Sequence, residues 1–337
     1  MKAIVQDSYG SVEVLRLADI DVPTPGDNEV LLRVRATSVH ADVWHVMTGL
    51  PYVLRLFGAG FWRPKNRVPG TDLAGVVEAV GKSVTRFHRG DEVFGETILG
   101  MQWINGGAFA EYAKAPESAL ALKPAHVSFE EAAAIPTAAL IALQNLRDFG
   151  RLKSGMNILI NGAGGGVGTM AIQIAKALGA RVTAVDRGDK LALLEKLGAE
   201  RTIDYTQEDF TRGQARYDLI LDIPGNHPFS ACRRALTSEG TYVLVGHDHY
   251  GAGMRRVFGL IPHMFKLMFM ALFIKQLPKP NFAPLDKPAA MELLRELLAS
   301  GKLTPHIDRT FALSEAPEAM RYLQSGDAQG KLVISIA

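Results

Sequence analysis

The sequence predicts an α/β protein in two parts, a β-rich part followed by a doubly wound part with a parallel sheet. Three observations carry this. Short runs of β-branched and aliphatic residues, punctuated by Gly and Pro, fill residues 1–125. Strand-like and helix-like patterns then alternate over residues 126–250. Within that alternation, MNILINGAGGGVG (Met156–Gly168) runs from an apolar strand through glycines into a helix.

A chain of 337 residues is long for one core and fits two domains. With 47% hydrophobic and 21% charged residues it reads as a globular α/β protein. Its net charge of +2, with both signs interspersed and no long basic run, argues against nucleic acid as a partner. One cysteine, Cys232, excludes a disulfide framework and any multi-cysteine zinc site. No signal-peptide pattern opens the sequence, so a cytoplasmic enzyme is expected.

In chain order, Val12–Leu17, Glu29–Ala36, Val76–Val80 and Asp91–Phe94 read as strands, and Gly106-Gly107 as a turn into another. Ser128-Phe-Glu-Glu131 is a capping box that predicts a helix start. Pro136 interrupts that run, and Thr137–Leu146 reads as a second apolar helix. After the glycine turn come a strand at Arg181–Val185 and a helix at Lys190–Leu197 closed by Gly198. Strands at Tyr217–Leu221 and Thr241–Val245 follow, with a helix at Phe229–Leu236 between them. Val257–Ile274 is apolar but carries Pro262, His263 and Lys266 near its middle, which favours a buried helix pair, a lid or a subunit contact over a bilayer span. Arg255, Arg256, Lys275 and Lys279 at its ends leave contact with a membrane surface open. Lys287–Ala299 is an amphipathic helix ending before Gly301, Ser314 reads as the cap of a helix to Leu323, and residues 330–336 as a last strand.

The glycine turn is a place for phosphates. Backbone N–H groups at a helix start, with the positive end of its dipole, hold a pyrophosphate. Gly162-x-Gly164 followed by Val167 breaks the strict G-x-G-x-x-G pattern, whereas Ala163-x-Gly165-x-x-Gly168 fits it with Ala in the first slot. Ala163, Gly164, Gly165, Gly166, Val167 and Gly168 are therefore cofactor-binding candidates, with Gly165 allowing close phosphate approach and Gly168 close helix–strand packing. Asp186 ends the next strand, 18 residues past Gly168, where a carboxylate accepts hydrogen bonds from a ribose diol and repels a 2′-phosphate.

Several stretches together resemble the medium-chain dehydrogenase/reductase superfamily over nearly the whole chain. They are Gly70-Thr-Asp-Leu-Ala-Gly-Val-Val-Glu-Ala-Val-Gly81, Gly90-Asp-Glu-Val-Phe94, Gly107-Ala-Phe-Ala-Glu-Tyr112, the glycine turn and Gly330-Lys-Leu-Val-Ile. The resemblance implies a GroES-like substrate domain from residues 1–125 and 300–337, and a Rossmann domain from 126–299 carrying a hydrophobic insert near 255–280. It places the active site in the cleft between the domains and implies a homodimer.

Zinc-dependent members of that superfamily place a Cys where Val39 stands and a His where Thr71 stands, with further cysteines later. This chain has none of these, and neither His40, Asp42 and His45 nor His247-Asp248-His249 matches a zinc spacing. The resemblance is thus to the zinc-free quinone oxidoreductases and enone reductases, in which a nicotinamide delivers hydride to a quinone or an α,β-unsaturated carbonyl.

On the substrate side the resemblance implies His40, Asp42 and Tyr52 as catalytic candidates, with His40 where quinone reductases often carry Asn. On the cofactor side it implies Thr137, Gly246 and Lys331, with Lys190 and Tyr205 at positions that contact a 2′-phosphate in NADPH-using relatives. Asp186 points instead to NAD, and Arg187 and Lys190 would offset its charge beside a phosphate. The balance is a weak preference for NAD(H), with NADP(H) open and no zinc. Two alternatives stand: a metal-free alcohol dehydrogenase with His40 as base, and a non-catalytic nucleotide-binding protein.

Overall fold

The computed structural model describes residues 1–98, 106–246, 256–281, 283 and 285–336. These group into two compact units, Met1–Ala138 with Asp286–Gly301 and Pro305–Ala337, and Ala139–Leu285 with Lys302–Thr304.

The first unit opens with β1 (Lys2–Val5) and β2 (Arg16–Asp19), an antiparallel pair. Val12–Leu17 is not one strand as its composition implies. Val12–Val14 makes a 3₁₀ turn, and the spacing of three residues lets Val12 and Leu15 both turn inward. There follow β3 (Glu29–Val39), α1 (Ala41–Thr48), β4 (Asp72–Val80), β5 (Glu92–Glu96), β6 (Tyr112–Pro116), β7 (Leu120–Leu122) and α2 (Phe129–Ala133). The capping box is formed: Ser128 Oγ accepts from Glu131 N at 3.1 Å, and the Glu131 carboxylate accepts from Ser128 N at 2.9 Å.

The helix after it, α3 (Pro136–Leu143), begins at the proline that interrupts the apolar run, since Pro is tolerated in a first helical turn. The second unit then alternates β8 (Asn157–Asn161), α4 (Gly166–Ala177), β9 (Arg181–Asp186), α5 (Leu191–Lys196), β10 (Arg201–Asp204), β11 (Tyr217–Asp222), α6 (Phe229–Arg234), β12 (Leu236–Leu244) and α7 (Ile261–Met270). Among the described residues its five strands are all parallel, in the order β10-β9-β8-β11-β12, the doubly wound arrangement with its switch point at β8. Ile158, Leu159 and Ile160 are buried, as a strand covered on both faces requires.

The chain closes with α8 (Lys287–Ala299), β13 (Ile307–Ala312), α9 (Ala316–Ser325) and β14 (Lys331–Ser335). β14 pairs antiparallel with β3, and β13 extends the first unit's seven-stranded sheet. Ser314 is not a cap: it lies inside a 3₁₀ turn, and the Glu315 carboxylate accepts from Ala312 N at 2.8 Å in its place.

The division of the chain falls after Ala138 rather than after residue 125, and it gives α8 to the first unit. Side-chain bonding explains both shifts. Thr137 is hydrogen-bonded to Asp72, and Lys287 to Glu96 and the Ile98 carbonyl. No helix among the described residues is long and apolar enough to cross a membrane. Residues 257–274 instead hold the ten-residue α7, with Pro262 in its first turn.

Candidate active site

β3 delivers the chain to His40, which has extended backbone and caps α1, with Asp42 in that helix's first turn. The buried His40 ring shares a hydrogen bond with Thr71 through Nε2, 2.8 Å from Oγ1. Its Nδ1 lies 3.3 Å from Asp42 Oδ2, an ion-pair distance without hydrogen-bond alignment. Burial pushes the Asp42 carboxyl up, but His40, then His45 and Lys331, outweigh it and hold it below the usual carboxylate range. His45 is structural: its Nδ1 donates to the Leu50 carbonyl at 2.6 Å. Tyr52 does not join His40. It is exposed, and its ring faces the Arg55 guanidinium 4.7 Å away.

Next to Thr71, the fully buried Asp72 gathers a cluster that the sequence did not announce. Its Oδ1 accepts from Thr137 N at 2.9 Å and from Thr137 Oγ1 at 2.5 Å, and its Oδ2 accepts from Ser38 Oγ at 2.6 Å. Thr137 Oγ1 also lies 2.8 Å from Glu96 Oε1. One hydroxyl hydrogen cannot serve both carboxyls, so this contact calls for a proton on Glu96. Burial, joined by the charge of Asp72, pushes that group up against the pull of Lys287. Lys331, the expected cofactor contact, is buried with Nζ 3.6 Å from Asp72 Oδ2 and makes no hydrogen bond there. Burial lowers its amine, with Asp72 opposing.

In the second unit the glycine turn links β8 to α4, with Gly165 as the helix N-cap. A Cβ on Gly165 would meet only the Gly162 carbonyl, at 3.8 Å, so its outer side is open. A Cβ on Gly168 would lie 2.4 Å from the Gly162 oxygen and 2.5 Å from Ala163 Cα, so the helix packs onto the turn only with glycine there. Gly164 N donates to Asp186 Oδ2 at 2.7 Å, and Arg187 N to Asp186 Oδ1 at 2.8 Å. The carboxylate is thereby fixed at the end of β9, with lone pairs left to accept from a diol. Lys190 is buried beside Gly164, Arg187 is held bidentate by Asp189 at 2.6 and 2.8 Å, and Tyr205 is exposed just past β10. Gly246 follows β12 with a φ of 74°.

The sequence also missed Asn161 and Asp222, at the carboxyl ends of β8 and β11. Asn161 Nδ2 donates to Asp222 Oδ1 at 2.9 Å, and the Tyr242 hydroxyl donates to Asp222 Oδ2 at 2.8 Å. The amides at the start of α4, a Gly165 with open space beside it and a fixed strand-end carboxylate are the donors and the acceptor that a dinucleotide needs.

Among the described residues no three His, Cys, Asp or Glu side chains are grouped to hold a metal ion, and Cys232 is buried in an apolar core. His247, Asp248 and His249 lie outside the described residues.

A family model described as zinc-binding dehydrogenase matches residues 197–334, and the alcohol dehydrogenase GroES-like domain matches residues 26–125. The chain is 30% identical to the chloroplast envelope quinone oxidoreductase homolog of Arabidopsis thaliana, over 99% of this chain and 98% of the relative. It belongs to the medium-chain dehydrogenase/reductase superfamily, in the quinone oxidoreductase-like branch. Membership makes it an NAD(P)-dependent oxidoreductase. The 2-methylene-furan-3-one reductase of Solanum lycopersicum is 33% identical, over 99% of this chain and 79% of its own. Among solved structures, the quinone oxidoreductase from Coxiella burnetii superposes with a TM-score of 0.84 at 29% identity, covering 100% of this chain and 99% of that one. A structure described as an NAD-dependent alcohol dehydrogenase gives 0.80 at 30% identity, with 100% of both chains covered.

Proposed function

We propose that this oxidoreductase reduces a quinone or an α,β-unsaturated carbonyl, without zinc and with a weak preference for NAD(H) over NADP(H). The observation that carries the reading is the run Asp42–His40–Thr71, a carboxylate, an imidazole and a hydroxyl, with Thr71 at the position where the resemblance puts a metal-ligating His in zinc-dependent relatives. When bound, a nicotinamide supplies or accepts the hydride. The protein's part is the proton. Asp42 lies 3.3 Å from His40 Nδ1, and His40 Nε2 and Thr71 Oγ1 share a hydrogen that can pass to a developing enolate oxygen. Exposed Leu56, Phe57, Phe61 and Trp62, soon after this segment, suit an apolar substrate. The Arabidopsis relative is named for quinone reduction and the tomato relative for a conjugated furanone, the same electrophile class.

His40→Gln and Thr71→Val are expected to lower kcat on an enone by roughly 10²-fold or more while changing KM little, as loss of general acid catalysis does. Steady-state kinetics checks this, and unchanged kcat in both variants would remove the proton role. Because Asp42 is held below the usual carboxylate range, its stabilising contribution is fully present above about pH 4 and is lost as pH falls through the folded value.

For the cofactor, NADH is expected to bind more tightly than NADPH, and Asp186→Ser to move the ratio of dissociation constants toward NADPH by about tenfold, or 1.4 kcal/mol. Fluorescence titration with each nucleotide reads it directly. An unaltered protein that binds NADPH ten times more tightly would overturn the role given to Asp186.

A second reading has its own support. The same His40–Asp42 pair could serve as the base of a metal-free alcohol dehydrogenase, and one structural neighbour is described as an NAD-dependent alcohol dehydrogenase. Alcohol oxidation that survives chelation, with no turnover of quinones or enones, would reverse the order. A homodimer and membrane-surface contact through residues 257–274 complete the proposal. The Arabidopsis relative's name places that protein at a membrane-bounded envelope.

A further inference from the structure

The described residues after β12 leave a face that the chemistry above does not use. α7 is two-sided. Leu267 and Ala271, with Met270 and Ile274 partly buried, pack into the apolar core formed with Phe229, Leu236 and Tyr242. Phe258, Phe265, Phe269, Leu272 and Phe273 stand on the solvent side, between 57% and 77% exposed. Phe269 and Phe273 meet edge to face at 5.6 Å, so part of this face is a connected aromatic surface. Folded proteins rarely leave so many large apolar side chains together in water without a partner.

Charge identifies the partner. Residues 256–285 contain Arg256, Lys266, Lys275 and Lys279 and no Asp or Glu. Lys275 pairs with Glu239, whereas Lys266 is exposed beside Phe265 on the helix itself. An interface between two protein copies excludes lysine from its apolar centre. An apolar face whose own segment supplies cations and no carboxylate is the pattern of a helix lying in the headgroup region of an anionic bilayer, with its lysines reaching the phosphates. α7, at ten residues, is far too short to span one.

We propose that the Phe258–Phe273 face docks onto anionic lipid, burying its aromatic side chains at the acyl boundary while Arg256, Lys266 and Lys279 meet lipid phosphates. This rests on the membrane-contact part of the functional reading and names its chemistry. For an enzyme of apolar conjugated carbonyls, docking would bring the protein to the phase in which such substrates concentrate.

The test is co-sedimentation of the full chain with vesicles of phosphatidylcholine alone and of phosphatidylcholine mixed with phosphatidylglycerol. Binding to the mixed vesicles is expected to be at least tenfold stronger, since each cation contributes about fivefold near an anionic surface, and to fall with added salt. Phe269→Ser with Phe273→Ser is expected to cut binding at least tenfold while leaving melting temperature and quinone reduction in solution unchanged. Lys266→Glu with Lys279→Glu, exposed substitutions that spare the core, is expected to do the same. Equal binding to both vesicle types would overturn the anionic chemistry and leave membrane contact standing. No binding to either would overturn both, with activity in solution still testing the catalytic reading. Serine variants that turn a dimer into a monomer and leave vesicle binding unaltered would assign the face to a second copy, against the proposal.

Discussion

Gly165→Ala is expected to leave the protein folded, shifting its stability by under about 1 kcal/mol, while weakening dinucleotide binding at least tenfold. Gly168→Ala is expected to do the opposite first, costing about 2–3 kcal/mol of stability before any question of binding arises. The two residues sit three apart in one turn, and the geometry separates them. Gly165 has φ −84° and ψ 178°, a conformation open to any residue, and its missing side chain faces nothing nearer than 3.8 Å. A methyl there occupies only the space through which a pyrophosphate would approach the first amides of α4. At Gly168 the methyl would press on backbone atoms of Gly162 and Ala163 at 2.4–2.6 Å, atoms that cannot swing aside. Chemical denaturation and nucleotide titration on both variants check the pair. If Gly165→Ala binds NADH as the unaltered protein does, the phosphates do not lie on this turn.

That contrast also marks what the sequence can and cannot reveal. The strand–glycine–helix unit was legible because its parts are adjacent and each has its own local cause: a buried apolar run, glycines and an amphipathic period. The capping box at Ser128 and the helix at Lys287–Ala299 were legible for the same reason. β10 and β13 were not, since RTID and IDRTFA are short edge strands with exposed polar residues and too little alternation to stand out. At the site, His40 and Asp42 are near neighbours in sequence, and the structure brings them to 3.3 Å. The Asp72 cluster is different. Its partners lie 34, 65 and more residues away, and Lys287 reaches Glu96 across 191 residues. No local pattern marks such bonds, because only the finished sheet brings the groups together. Tyr52 shows the converse: near His40 in sequence, it turns to Arg55 once folded.

The cluster's energetic weight gives the largest stability change expected in the molecule. Asp72→Ala should destabilise the first unit by about 3–5 kcal/mol, the usual cost of removing one partner from a buried charge pair. Thr137 N–H, the Thr137 hydroxyl and the Ser38 hydroxyl lose their acceptor at once, the Lys331 amine loses the anion nearest it, and all three residues are buried. Lys331→Met should cost less, about 1–2 kcal/mol, because Asp72 keeps its three hydrogen-bond donors and loses only an amine 3.6 Å away. Combining the two separates attraction from mere burial. With methionine in place, Asp72→Ala no longer strands a buried amine, so the double variant should be more stable than the sum of the single losses by about 1–2 kcal/mol. Chemical denaturation of the four proteins in the cycle measures that coupling. Additive losses would mean that Lys331 is held by burial alone, and that the β14 lysine has no electrostatic tie to the Thr137 anchor.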